Sequence, residues 1–140
     1  MLRMIGAFIA KRKIRSGFAA MACGDLDALL SVFADDATLF YPIKGTMQGK
    51  AAIRAFYEHF LQVFPKVVPT VHHICVNNLL DVVGTNVIAT HWDVATTNRR
   101  GTTYSQTGVH LIETHMGRIT SMRYFFADPD QLKQAWKESE

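Results

Sequence analysis

Two cysteines, Cys23 and Cys75, are all the chain has for thiol chemistry, and no CxxC spacing joins them to anything. A disulfide scaffold and a cysteine-built zinc site are excluded, and both thiols are expected to be buried and unpaired. Six histidines are present but none forms an HExxH or another helical ligand pair, so no structural or catalytic metal is expected. The chain also lacks a phosphate loop, a nucleotide fingerprint with glycines in register and a G-x-S-x-G elbow. No cofactor is expected. Long hydrophobic runs are missing too: the apolar stretch from Met4 to Ala10 is far too short to span a bilayer, and its charges follow it where a secretion signal would have them first. A cytoplasmic protein without membrane contact is the expectation. No repeat, low-complexity tract or linker divides the sequence, so residues 1–140 are read as a single domain.

What is present is a core. Hydrophobic residues make up 49% of the 140 and charged residues 19%, which fits a compact chain with an apolar interior and argues against disorder. The net charge of +3 is mild, and much of it sits at Arg3, Lys11, Arg12, Lys13 and Arg15. That cluster reads as a solvated helix face, and no nucleic-acid partner is expected.

Local chemistry places most elements. A first helix runs from near Met4 to Cys23 with Ile14, Phe18 and Met21 inward. Gly24 is suited to the left-handed conformation that ends it, and Asp25 to capping the next. In that next helix Leu26, Leu29, Leu30 and Phe33 share a face at three- and four-residue spacing. Asp35 and Asp36 break the period, Thr38 to Tyr41 reads as a short strand that Pro42 ends, and a loop leads on to Lys50. A third helix follows, with Ile53, Phe56, Tyr57, Phe60, Leu61 and Phe64 as its apolar stripe. The second half reads as strands at Val67 to Asn77, Asn86 to Thr97, Gly101 to Glu113 and Arg118 to Ala127, with turn signals at Gly84, Asn98 to Gly101 and Gly117. Asp128 and Pro129 start a short last helix through Lys137, with Leu132 and Trp136 on one side. Helices first and hairpin-linked strands afterwards make an α+β chain with a mostly antiparallel sheet.

The segment GDLDALLSVFADDATLFYP, the following GKAAIRAFY and the late RITSMRYFF together resemble the nuclear transport factor 2-like superfamily, in its SnoaL-like and ketosteroid isomerase-like branch. The resemblance spans nearly the whole chain. It implies a strongly curved sheet wrapped around the N-terminal helices, a cone or cystatin-like roll with an apolar pocket inside, and in many relatives a homodimer through the outer sheet face. It is specific for fold and poor for reaction, because the superfamily hosts isomerases, cyclases, dehydratases and plain binding domains.

Strand alternation then sorts side chains. The hairpin around Asn98 to Gly101 pairs the strand holding Trp92 with the strand holding Val109, so inward residues on one oppose inward residues on the other. Ile88, Thr90, Trp92 and Val94 face Ser105, Thr107, Val109 and Leu111, with Met122, Tyr124 and Phe126 beside them. By the resemblance this face is the ligand-binding one, joined by Phe18 and Tyr57 from the helices. His91, Asp93, Tyr104, Gln106, His110 and Arg123 are assigned to the outer face, and Glu113 is the sheet acid with inward parity.

The family's catalytic acids do not carry over. The isomerase base belongs where this chain has Tyr41, the oxyanion tyrosine where it has Gly17, and the oxyanion aspartate near Val109, while Tyr57 matches a supporting tyrosine. The dehydratase aspartate falls at Ala22. His73 with Asn77 resembles the H-x-x-x-N of SnoaL-like proteins, and alternation allows one of His72 and His73 to face the pocket. The expectation is a small hydrophobic ligand, polyketide- or steroid-like, turned over by proton transfer as an isomerase, cyclase or dehydratase (a lyase), with His73 as general base and Tyr41 as hydrogen-bond donor. The competing expectation is a noncatalytic ligand-binding or dimerisation module that has lost those acids.

Overall fold

The computed structural model describes residues 2–78 and 84–140, with side chains from Gly6 onward, so Arg3 of the basic cluster lies outside the described side chains. Helix α1 spans Leu2–Cys23 and ends where Gly24 takes a φ of 74°, and Asp25 caps α2 (Leu26–Leu30) by accepting from the Ala28 amide at 3.1 Å. Helix α3 (Lys50–Val63) buries Ile53, Phe56, Tyr57, Phe60 and Val63. Helix α4 (Pro129–Ser139) is capped by Asp128, which accepts from the Gln131 amide, and buries Leu132, Ala135 and Trp136.

Six strands, β1 (Phe33–Tyr41), β2 (Gly45–Gln48), β3 (Lys66–Val76), β4 (Thr85–Thr97), β5 (Thr103–His115) and β6 (Arg118–Phe126), form one sheet in the order β2-β1-β6-β5-β4-β3. Only β1 against β6 is parallel. Pro69 sits in β3, the edge strand, where a missing amide costs no ladder bond. Helices α1 and α3 pack over one face of the sheet, with the largest buried side chains between them and it.

Four expectations need correction. The second helix stops at Leu30 and Phe33 already belongs to β1, because Phe33 pairs with Ile119 of β6 and the strand passes the two aspartates through an irregularity between Phe33 and Thr38. The loop before Lys50 contains β2, turned back onto β1 by Ile43 and Gly45 with φ of 67° and 83°. Cys23 and Cys75 are unpaired as expected, but both are exposed. The fourth correction is the face of β5. Asn98 Oδ1 accepts from the Arg100 and Thr102 amides and the Asn98 amide donates to the Thr102 carbonyl, so the turn closes at Thr97 and Thr103 and Trp92 opposes Gly108. A shift of one residue exchanges the two faces of a strand. Ser105, Thr107, Val109, Leu111 and Glu113 therefore point away from the helices, and Tyr104, Gln106 and His110 point toward them.

Candidate functional site: an aromatic cavity

The inner faces of helices and sheet enclose a cavity of about 100 Å³. Helix α1 contributes Ile14 and Phe18, α3 contributes Phe56, Tyr57 and Phe60, the sheet contributes Tyr41, Trp92, Gln106, His110, Met122, Tyr124 and Phe126, and α4 closes one side with Trp136. Among the described residues that line it there is no carboxylate, and the single charged side chain is that of Lys13, whose ammonium donates to the Gly117 carbonyl at 3.1 Å.

The walls interlock by ring packing. Tyr41 lies against Phe56, Tyr124, Phe126 and Trp136 at centroid distances of 4.9 to 5.9 Å, and its hydroxyl accepts from Trp136 Nε1 at 3.2 Å. The Tyr57 and Tyr124 hydroxyls are 2.7 Å apart. Burial pushes the pKa of all three phenols well above the ordinary range, so they remain protonated. His110 stacks on Phe18 at 5.3 Å and takes the edge of Tyr124 at 4.1 Å. Burial away from water lowers its pKa from 6.5 to about 3, so the imidazole is neutral at physiological pH.

Gly108 makes this arrangement possible. A Cβ there would lie 2.7 Å from Trp92 Cη2 and overlap the Phe125 carbonyl oxygen, so the glycine lets the indole lie flat across β5. Around it, four buried polar atoms have no partner among the described residues: the Gln106 amide nitrogen and oxygen, Trp92 Nε1 and Thr90 Oγ1.

Of the residues singled out from the sequence, Phe18, Tyr41, Tyr57, Trp92, Met122, Tyr124 and Phe126 line the cavity. Ser105, Thr107 and Val109 do not, for the register reason above. His73 does not either, which corrects its placement beside Tyr41. Pairing shifts between Val71 and His73, and this bulge turns both His72 and His73 to the outer face. There His73 Nδ1 lies 3.2 Å from His91 Nδ1, His72 Nε2 lies 2.7 Å from Asp93 Oδ2, and Thr107 Oγ1 donates to Asp93 Oδ1 at 2.6 Å. Those bonds, Thr107 foremost, hold the Asp93 carboxyl below its ordinary range. The residues that sequence reasoning left outside the cavity are His110 and Gln106. Their signal was the Asn98 side chain, whose reach across the turn decides which residue closes it.

Solved structures share this architecture. Bal32a, from a soil-derived mobile gene cassette, superposes with a TM-score of 0.80 at 20% identity, covering 94% of this chain and 98% of its own. TerC, co-crystallized with polyporic acid, gives 0.70 at 21% identity over 92% and 98%. RV0760c from Mycobacterium tuberculosis, in complex with estradiol-17beta-hemisuccinate, gives 0.71 at 21% identity over 84% and 92%. These likenesses establish the nuclear transport factor 2-like fold. The profile of the SnoaL-like domain matches residues 14–122, most of the chain, ending within β6 before Tyr124 and Phe126, and the protein belongs to the SnoaL-like domain family.

Proposed function

We propose that the protein binds a small, uncharged, largely apolar molecule in the cavity and does no proton-transfer chemistry on it. The observation that carries this reading is the wall itself, apolar for the most part, rich in aromatic rings and without a carboxylate among the described lining residues. An isomerase, cyclase or dehydratase needs a base that works near neutral pH. His73 is on the far face of the sheet, and His110 with a pKa of about 3 has little driving force to take a proton. The Tyr41 hydroxyl accepts from Trp136 Nε1 and is kept protonated by burial, so it offers no base. Two structures of the same fold hold organic ligands, which supports binding as the shared activity.

Both tryptophans of the chain, Trp92 and Trp136, line the cavity and are 2% exposed, so a ligand that enters it must change their emission. Titration with a panel of single-ring and polycyclic compounds is expected to give a saturable fluorescence change for at least one class. A panel that leaves the emission unchanged up to its solubility limits overturns the reading.

The outer sheet face is the proposed homodimer surface. Register puts His73, His91, Val109 and Phe125 in one row across β3 to β6, and Leu111 and Phe125 are exposed there by 38% and 48%. Phe125→Asp is expected to convert a sedimenting dimer to monomer without changing the far-ultraviolet spectrum. A wild-type chain that sediments as a monomer sinks the proposal.

A further inference from the structure

The geometry points to a hydrogen-bonding seat in the cavity, built by Gln106 and Trp92, that takes the hydroxyl of an uncharged ring, a phenol or an enol. This rests on the cavity being a ligand site, and it adds which chemistry the ligand carries.

Gln106 is 5% exposed and Trp92 2%, and among the described residues neither amide atom nor the indole nitrogen meets a partner. Buried polar side chains in native proteins are overwhelmingly paired, so two neighbouring residues that both line the cavity and both carry unpaired polar atoms call for an occupant. Because both ends of the amide are open, exchanging its nitrogen and oxygen changes nothing in this accounting. The two residues are diagonal neighbours on one face, since Trp92 opposes Gly108 and Gln106 stands two residues before it. The indole lies over Gly108, with Gln106 on one side of it and His110 on the other at 5.1 Å.

The open groups define their complement. The indole offers one N–H, the amide offers two N–H groups and an acceptor oxygen. A hydroxyl matches both kinds, donating to Gln106 Oε1 while accepting from Trp92 Nε1. A ketone would use the donors and leave the amide oxygen open. A carboxylate would bury its charge without a counter-ion, because the Lys13 ammonium is exposed and turned to the Gly117 carbonyl, and an ammonium would find no lining carboxylate. The volume of about 100 Å³ suits a ring of benzene size.

The test uses p-cresol and p-xylene, which share a shape and differ by hydroxyl against methyl, read by tryptophan emission and calorimetry on the wild-type chain, Gln106→Leu and Gln106→Met. The wild-type chain is expected to bind p-cresol about tenfold or more tightly than p-xylene, although p-cresol loses more hydration on entry. Both substitutions are expected to abolish that preference by weakening p-cresol alone, and to raise the unfolding temperature of the unliganded chain by removing orphaned polar atoms. Two substitutions of different shape separate loss of the seat from a packing fault. Equal affinity for the two compounds in the wild-type chain, or a preference that survives both substitutions, overturns the seat and leaves the cavity reading standing. If neither compound binds while a larger apolar compound does, the seat as sized here is wrong; if nothing binds, the cavity reading falls and the seat with it.

Discussion

Gly108→Ala is expected to destabilise the chain by ~3 kcal/mol or more, at the upper end of the range for overpacking a core. The added methyl has nowhere to go. It would overlap the Phe125 carbonyl oxygen on β6 and stand 2.7 and 2.8 Å from two carbons of the Trp92 ring, both fixed by their neighbours. Phe125 sits in the β5–β6 ladder, with Gly108 paired to Phe126. The Trp92 ring is wedged against Phe126 at 5.3 Å and His110 at 5.1 Å. Relief must come from parting two central strands or from swinging the indole out of the cavity. Urea unfolding followed by tryptophan emission distinguishes these. A lowered midpoint with unchanged native emission means the strands part, and a red-shifted native emission means that Trp92 has left its slot. Adding Trp92→Leu to Gly108→Ala recovers stability only in the second case. A midpoint equal to that of the wild-type chain would show that β5 accommodates a side chain here and that the cavity wall is softer than described.

The features legible in the sequence are those decided within a few residues. Gly24 with Asp25, and Asp128 with Pro129, state helix boundaries by their own hydrogen bonds, and both caps form as read. The α3 stripe is likewise local, because its period alone sets which face is buried. Illegible features are those decided by a partner far along the chain. The stretch from Phe33 has a helical spacing of leucines before it, yet Ile119, in the last strand, draws it into the sheet. The candidate site suffered most from parity. One residue in the turn at Asn98 to Thr102 exchanged His110 and Gln106 for Val109 and Ser105, and one bulge at His72 took His73 out of the interior. Alternation is a strong rule within a strand and a fragile one across a connection, since a single uncounted residue inverts every assignment after it. The aromatic residues on α3, β4 and β6 escaped this error because their faces were set by their own periods.

His110→Phe is expected to remove the largest single source of acid sensitivity in the chain. The imidazole is held neutral by burial, with a pKa near 3 in the folded state against 6.5 for the free side chain. The sign follows from proton uptake. Above pH 6.5 neither state holds the proton and the group contributes no pH dependence. Below it the unfolded chain takes up a proton that the folded chain refuses, so stability falls by about 1.4 kcal/mol per pH unit until the folded pKa is reached. Between pH 7.5 and pH 4.5 this amounts to ~3 kcal/mol. Carboxyl groups held below their ordinary range, those of Asp93, Glu138 and Glu140, also lose stabilisation in acid, but they lie on the outer surface and act equally in both proteins. The groups facing His110 are Phe18, Trp92 and Tyr124, and none of them takes up a proton over this interval. Phenylalanine preserves the stack on Phe18, so the difference between the two unfolding curves isolates the proton. Chemical unfolding at half-unit steps of pH is expected to show the wild-type chain losing ~3 kcal/mol more than His110→Phe over that interval. Parallel curves would mean that His110 reaches water or a partner in solution. A wall that includes an ionisable ring yet keeps it uncharged across the physiological range is consistent with a cavity suited to uncharged ligands, and acid strong enough to charge that ring would work against the fold and the ligand site together.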